Sequence, residues 1–277
     1  MTRAAPNRII RRRIYRSPRS LGRPSFRVGG ENIGIARLQI SAASHYAWAS
    51  VAFCSWTRVQ NMRHLPLSEN YASFSERSRK AVSDILISAR DVLVEQGYPR
   101  LTMRNVAERA GISVGNLNYY FANKQDLLRE LLQAIIQGYV EDFSQIIHDK
   151  DRAAIDRFES VVRFIMGDLE TRETTGFFPA LWALANHDPV AAHEMDRIYD
   201  VEKGVLADLI AEVRPDLSED QVNILALFVM GAIEGQTVFV GFKRKNSELL
   251  PVVTNAAAFG FRRLVSEIDG NEIARLS

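Results

Sequence analysis

The sequence contains a single cysteine, Cys54, in 277 residues. One thiol excludes an intramolecular disulfide and a metal site built from several cysteines, and it suits a reducing cytoplasm. The chain also lacks a glycine-rich phosphate loop, a His-Glu-x-x-His zinc motif and the nucleophile elbow of hydrolases. His187 and His193 are six positions apart with Pro189 between them, a spacing that does not place two metal ligands on one helical face. We therefore expect no cofactor, no metal and no catalytic residue.

Lysine is absent from the first 63 residues, which hold 12 arginines and one acid, Glu31. Residues 1–73 show neither a helical nor a strand period, so we predict a basic, disordered extension outside the folded domains. Three explanations are open: translation that begins at Met62, a flexible arm that adds contacts to DNA phosphates, and an organelle-targeting segment. Residues 131–277 hold 24 acidic and 14 basic residues, so this part should face away from DNA.

Long, clean apolar runs are also missing. A membrane-spanning helix needs about 20 predominantly apolar residues. Residues 33–56 include an arginine and a histidine, and the apolar run at 221–242 is interrupted by Glu234 and Gln236. We predict that the protein does not cross a membrane and works in the cytoplasm.

Helical periods dominate after the extension, and no stretch alternates as a strand does. Apolar residues recur on one face of a first helix predicted over residues 76–96, which Gly97 and Pro99 end. Further amphipathic segments follow to the end of the chain. We predict an all-α fold with a three-helix, helix-turn-helix domain over residues 74–132 and a helical domain over residues 133–277.

Residues 101–124 (LTMRNVAERAGISVGNLNYYFANK) contain the signals of two short helices joined by a turn. Thr102 and Ser113 can each cap a helix N-terminus through the side-chain hydroxyl. Gly111 stands where the first helix must stop with positive φ. Two short helices with a glycine-containing turn form a helix-turn-helix. The second helix carries short polar side chains, which suit hydrogen bonds to base edges and phosphates.

The run A-x3-GIS-x-G-x-L-x-YYF-x2-K-x2-L, which begins at Ala107, resembles the DNA-binding domain of TetR-type (TetR/AcrR) transcriptional regulators. The resemblance covers roughly residues 78–132. It implies a DNA-binding domain followed by a helical domain that binds an effector and dimerises. The sequence departs from the family at Asn118, where the family usually has a tyrosine that contacts a phosphate. We expect this change to alter affinity or site preference without abolishing binding.

The residues predicted to contact DNA lie in and around the two short helices. We expect Asn116 and Asn118 to contact base edges or nearby phosphates. The resemblance implies that Lys124 receives a phosphate jointly with the N-terminus of the next helix. The full predicted set is Thr102, Arg104, Ser113, Val114, Asn116, Asn118, Tyr119, Tyr120 and Lys124.

The last two helices, at 221–242 and 251–268, are predicted to form a homodimer face. Gly231, Ala232 and Gly235 allow close backbone approach there, and the resemblance implies that these helices pair. A dimer places two recognition helices about 34–36 Å apart, in successive major grooves of a pseudo-palindromic operator in double-stranded DNA.

The resemblance also implies an unknown small-molecule effector and a pocket in the C-terminal domain. Large apolar side chains are candidates for its lining, with ordinary core as the alternative for each. The predicted effector-binding residues are Phe164, Phe177, Phe178, Trp182, Tyr199 and Phe239, with Met166 and Met195 as further candidates.

Taken together, these features predict a sequence-specific DNA-binding transcriptional regulator, a dimeric repressor that an effector releases from its operator. The alternative is a helical ligand-binding or adaptor protein whose degenerate helix-turn-helix no longer reads DNA, with Asn118 as the sign of that loss. An enzyme that uses the apolar pocket is a third possibility, which no motif supports.

Overall fold

The computed structural model describes residues 65–275, so Cys54, Met62 and the arginine-rich part of the extension lie outside the described residues. Within residues 65–275 the chain forms α-helices and no strand, which confirms the all-α prediction. The helices are α1 Glu76–Gln96, α2 Met103–Arg109, α3 Val114–Tyr120, α4 Lys124–Ile147, α5 Ala154–Asp168, α6 Arg172–Ala185, α7 Pro189–Val213, α8 Glu219–Glu234, α9 Gln236–Phe239, α10 Leu250–Glu267 and α11 Gly270–Ala274.

Helices α1, α2 and α3 form the N-terminal head, and the start of α4 closes its core. Leu86, Val106, Leu117 and Leu127 from these four helices are each at most 1% exposed. Helix α1 ends at Gly97, whose φ of 77° is in the left-handed region that favours glycine. The apolar face predicted from the sequence is therefore the one that packs the head together.

The packed part of the chain begins earlier than the composition suggests. Leu65 and Tyr71 are buried, although the predicted extension reaches residue 73. A short 3₁₀ helix at Glu69–Tyr71 holds Tyr71 against the core. The Ser68 hydroxyl donates to the Glu130 carboxylate on α4 at 3.5 Å. Residues 65–73 are thus packed against the head.

In the C-terminal domain the second half of α4 packs against α5 and α7, whereas α6 and α8 pack on α7 and α10 packs on α5. Phe158, Val161, Phe177, Leu206 and Val229 have no exposed surface and form its centre. The sequence prediction ends the helical part near residue 268. The structure adds α11, which begins with a capping box between Asp269 and Glu272.

Helix α8 is less buried than its composition predicts. Ser218 and Gln221 form a capping box at its N-terminus. Although α8 is apolar nearly all round, Leu227 and Phe228 are 56% and 59% exposed. One apolar face of α8 is therefore open in the single chain.

Candidate functional site

Hydroxyl caps fix both short helices of the head. The Thr102 side chain accepts a hydrogen bond from the Asn105 N–H at 3.2 Å, and the Ser113 side chain accepts one from the Asn116 N–H at 3.1 Å. Gly111 has a φ of 67°, and a Cβ there would meet no atom within 4 Å. Glycine is therefore required at this turn for its backbone conformation and not for space. The caps and the turn confirm the helix-turn-helix.

The outward surface of α3, here called the reading face, consists of Ser113, Asn116, Asn118 and Tyr119, all exposed. The side-chain amides of Asn116 and Asn118 make no hydrogen bond within residues 65–275. Tyr119 is 79% exposed and meets the Tyr120 ring edge-to-face at 5.1 Å. Free amides on an exposed helix are groups that can pair with base edges.

The other residues predicted to bind DNA differ in how exposed their side chains are. Thr102, Arg104 and Val114 are exposed near the reading face, whereas Tyr120 is half-buried. Lys124 differs, because its Nζ lies 3.4 Å from the centre of the Tyr98 ring. Burial lowers the pKa of Lys124 from its ordinary value, and the Asp188 carboxylate opposes that shift. A phosphate contact from Lys124 therefore requires its side chain to leave Tyr98.

The arginines of the head have different partners. Arg109 is held by Glu95 at 2.7 Å and Asp91 at 3.2 Å on α1. Arg79 and Arg104 make no ion pair within residues 65–275 and are exposed. These two cations are thus available to phosphates, whereas Arg109 braces α2 against α1.

Two contacts join the head to the C-terminal domain. A Cβ on Gly176 of α6 would lie 2.8 Å from Val94 Cγ1 and 3.3 Å from the Val94 carbonyl oxygen on α1. Burial raises the pKa of Tyr98, and the nearby Asp188 carboxylate raises it further; Asp188 also caps α7 by accepting from the Val190 and Ala191 N–H groups. We call Val94, Tyr98, Gly176 and Asp188 the joint.

A cavity lies inside the C-terminal domain between α4, α5, α6, α7 and α8. Its volume is about 20 Å³, within about 450 Å³ of empty space that includes open solvent. Apolar walls come from Tyr139, Phe143 and Phe178 among others. Three carboxyl groups also line this cavity, here called the acid cavity, and they belong to Asp168, Glu202 and Glu234.

Burial dominates the electrostatics of these three acids. It raises the pKa of Asp168 to about 6, although hydrogen bonds from Thr174 and Tyr139 oppose the shift. It also raises the pKa of Glu234 to about 7. The pKa of Glu202 is raised well above its ordinary value, first by burial and then by the nearby Glu234 charge. Each group therefore resists ionisation while the cavity holds no positive charge.

Comparison with known proteins identifies the head. The family model for bacterial regulatory proteins of the tetR family matches residues 85–131. The HTH-type transcriptional regulator BetI of Vibrio vulnificus is 25% identical over 154 residues, which is 54% of this chain and 76% of BetI. The HTH-type transcriptional repressor KstR of Mycobacterium tuberculosis is 29% identical over 157 residues, 54% of this chain and 66% of KstR. Residues 85–131 are therefore similar to the DNA-binding domain of tetR-family regulators.

The structural match extends beyond the head. The structure of a transcriptional regulator from Saccharomonospora viridis, solved in complex with choline, has a TM-score of 0.55 and 20% identity, and the match covers 68% of this chain and 97% of that chain. At this identity the match shows a shared fold. The protein is a DNA-binding transcriptional regulator. Regulators of the family bind DNA operators, act as dimers and respond to small molecules, and they are not an enzyme family.

The predicted effector-binding residues are placed in three ways. Only Phe178 lines the acid cavity. Phe164, Phe177, Trp182 and Tyr199 lie behind its walls: Phe164 packs on Phe143, Phe177 on Phe178, and Trp182 Nε1 donates to the Tyr199 hydroxyl at 2.6 Å. The prediction for Phe239 does not hold for the acid cavity, because that side chain is 60% exposed on α9 and does not line the cavity.

The three acids of the acid cavity are not among the residues selected from the sequence, although the sequence contains a signal for them. Glu202 sits between Ile198 and Leu206 on the apolar stripe of α7, and Asp168 follows Ile165 on that of α5. A single acid on an otherwise buried stripe is costly unless it has a role. Such acids could have been selected as cavity candidates.

No group of three or more His, Cys, Asp or Glu side chains suited to a metal occurs within residues 65–275. By length and composition, Glu219–Phe239 is one helical segment that could cross a membrane, and 39% of its apolar window is buried. A core helix passes the same test, and Glu234 of this segment lines the acid cavity.

Proposed function

We propose that the protein is a dimeric repressor that binds a pseudo-palindromic operator through the reading face. The observation that carries the proposal is the pair of exposed side-chain amides at Asn116 and Asn118. They have no hydrogen-bond partner within residues 65–275, and they lie on α3, whose N-terminus is capped by Ser113. Bidentate contacts from asparagine to adenine are a common form of base recognition. The proposed DNA-binding set is the one predicted from the sequence, with Lys124 contacting phosphate after leaving Tyr98.

The proposed dimer forms through α8, α9 and α10. Large apolar side chains on these helices are exposed in the single chain, which is unusual unless a partner covers them. They are Ile224, Leu227, Phe228, Val238, Phe239, Val252 and Phe259. Pairing of this face would place the two heads on one side of the duplex, where two successive major grooves can be read.

A small molecule in the acid cavity is proposed to release the operator. Helix α4 supports this, because its first turn follows the reading face and its later residues Ile136, Tyr139 and Phe143 line the cavity. The joint gives a second connection through α6 and α7. We propose a head at 74–132, preceded by the packed segment 65–73, an effector domain at 133–277, and a cytoplasmic location.

The proposal is tested by combining Phe228→Glu with Phe259→Glu, which puts a charge on both helices of the dimer face. We expect a monomer in sedimentation equilibrium and a loss of operator affinity on the order of 100-fold, because each half-site must then be bound alone. Phe74→Glu, a matched change at an exposed aromatic of the head, should leave the dimer intact.

Operator fragments for this test come from genomic DNA selected by the purified protein. A gel shift at moderate salt with no preference for any fragment would contradict the proposed reading of DNA. A double variant that stays dimeric would contradict the proposed interface.

A further inference from the structure

Three carboxyl groups meet in the acid cavity without a cation. None of the ion pairs within residues 65–275 includes Asp168, Glu202 or Glu234. The charged and titratable groups that face Asp168 are Tyr139 and Asp142 on α4, Glu173 on α6 and Glu234 on α8, and those that face Glu234 and Glu202 are Tyr199 on α7 and each other. The surroundings therefore add negative charge or hydroxyl groups only.

Two of the carboxyl oxygens lack a partner. Asp168 is 2% exposed, and its Oδ2 accepts hydrogen bonds from the Tyr139 hydroxyl and the Thr174 hydroxyl, both at 2.6 Å. These bonds orient the carboxyl group and leave Oδ1 buried with no hydrogen-bond partner within residues 65–275. Glu202 is 7% exposed, and its Oε1 is buried and unpartnered in the same way. Unpaired buried oxygens of this kind are costly, so they point to a missing partner.

The remaining walls suit an apolar body with a positive charge. The aromatic rings of Tyr139, Phe143 and Phe178 line the same cavity. An aromatic face attracts a cation through its quadrupole and also buries apolar surface. Once these acids are ionised they repel a carboxylate ligand, and a neutral ligand does not compensate their charge.

We propose that the effector of this regulator is an organic cation, with its ammonium group against Asp168 Oδ1 and Glu202 Oε1 and its apolar part against the aromatic walls. The inference rests on the proposed function of the cavity as the effector site. It names the chemical class of the ligand, an amine or quaternary ammonium ion, and excludes fatty acids and other anions.

Cation binding is coupled to proton release. The acids are held in the neutral form by burial, and a cation stabilises their ionised form instead. Protons therefore compete with the ligand, and affinity increases as pH rises through about 6 to 7, where Asp168 and Glu234 titrate. The linkage gives a test on the unmodified protein.

Three probes with one tail separate charge from apolar burial: hexyltrimethylammonium, hexan-1-ol and hexanoate. Each is titrated calorimetrically into the full-length protein without DNA at pH 8 and at pH 5.5. We expect the cation to bind at least about tenfold more tightly than the alcohol at pH 8, hexanoate to bind most weakly, and the cation to lose about tenfold or more at pH 5.5. Equal binding of the alcohol or hexanoate, no binding of the cation, or a pH effect of the opposite sign would overturn the proposal.

Isosteric variants locate the charge. Glu202→Gln and Asp168→Asn should each weaken cation binding by on the order of tenfold or more and reduce the pH effect. Glu194→Gln is the matched control, because Glu194 is a buried acid of the same helix that is paired with Arg197 outside the cavity. Loss of affinity in the control that matches the loss in Glu202→Gln would overturn the assignment. If a variant does not fold, the pH series on the unmodified protein still decides.

Operator binding is measured in parallel on the same samples. Protein that shifts operator DNA but binds no cation refutes the cation and leaves the proposed function standing. Protein that binds the cation but shifts no DNA refutes the proposed function and leaves the chemistry of the cavity standing.

Discussion

The polar groups of the reading face are exposed to solvent, whereas those of the acid cavity are buried. On the reading face, Asn116 and Asn118 are exposed, so water satisfies their amides until DNA replaces it. In the cavity, Asp168 and Glu202 are at least nine-tenths buried, and one oxygen of each has no partner within residues 65–275. A polar group that stays hydrated has little effect on the stability of the fold, whereas a buried polar group without a hydrogen-bond partner lowers the free energy of unfolding. The reading face therefore forms without loss of stability, whereas the unpaired oxygens of the acid cavity destabilise the fold unless a ligand pairs with them.

This difference bears on how a ligand could act. In the proposed dimer, DNA binding depends on the geometry of each head and on the distance between the two heads. In the proposed effector site, ligand binding depends on chemical complementarity, and we expect it to change how α4 to α8 pack. The coupling between them can be no larger than the ligand's difference in affinity for the two states, typically ~1–3 kcal/mol.

Removing both amides of the reading face should have the largest effect. In Asn116→Ala combined with Asn118→Ala, we expect operator affinity to fall by at least about 100-fold, because each lost contact to a base is worth ~1–3 kcal/mol. Fluorescence anisotropy with labelled operator measures the loss. The melting temperature and the binding of hexyltrimethylammonium should not change, since the two regions share no side chain.

Gln137→Ala, which removes an exposed amide from α4, should leave DNA binding unchanged. A double variant that loses less than about threefold in affinity would mean that the reading face does not recognise bases. The comparison between an exposed reader and a buried cavity would then fail on the DNA side.

Replacing Asp168 by Asn tests the cost of the cavity. The pKa of Asp168 is raised to about 6 in the fold, so the folded chain holds a proton that the unfolded chain releases first. Its contribution to stability is fully present below about pH 4 and is lost as pH rises through about 6. We expect Asp168→Asn, measured by urea denaturation, to gain stability relative to the unmodified protein from pH 4 to 7. The total gain should be on the order of 3 kcal/mol.

Asp200→Asn, at an exposed acid of α7 paired with Lys203, is the control and should show no such trend. A constant difference between Asp168→Asn and the unmodified protein across this pH range would show that Asp168 is not a destabilised acid. Operator affinity without ligand should be the same in both proteins.

The joint should give the smallest effect of the three. A methyl group on Gly176 would meet Val94 at 2.8 Å, so Gly176→Ala should lower the free energy of unfolding by about 1–3 kcal/mol. Adding Val94→Ala should recover part of that loss, because the nearest clashing atom is removed. Thermal unfolding of the two single variants and the double variant measures the coupling.

Gly167→Ala on α5 is the matched control, since a Cβ there has no neighbour within 4 Å. It should be neutral or slightly stabilising, as expected for alanine replacing glycine inside a helix. Additive effects of Val94→Ala and Gly176→Ala would show that the two helices are not in close contact.

The head could be predicted because its signals are local. Thr102, Gly111, Ser113 and Asn123 each act within three or four residues of chain, through caps and a turn that follow general rules. The same rules located α1 and its end at Gly97. The side-chain position of Lys124 was not predictable in this way, because Tyr98 lies 26 residues earlier in the chain.

The cavity could not be assembled from the sequence because five helices contribute to it. Aromatic composition selected both Phe178, which lines the cavity, and Phe239, which does not, since large apolar side chains serve the core, a dimer face and a pocket alike. The acids were more informative than the aromatics. Asp168, Glu202 and Glu234 lie 34 and 32 residues apart, and only the packing of their helices brings them together.

Regulators of this kind are attractive for building sensors by attaching one head to another effector domain. The joint sets a rule for such chimeras, because half of it travels with each part: Val94 and Tyr98 go with the head, and Gly176 and Asp188 stay behind. We expect a recipient domain with a larger residue at the position of Gly176, or without a carboxylate beside the Tyr98 hydroxyl, to hold the head at a different angle. Its operator spacing would change even if every contact to the bases were kept.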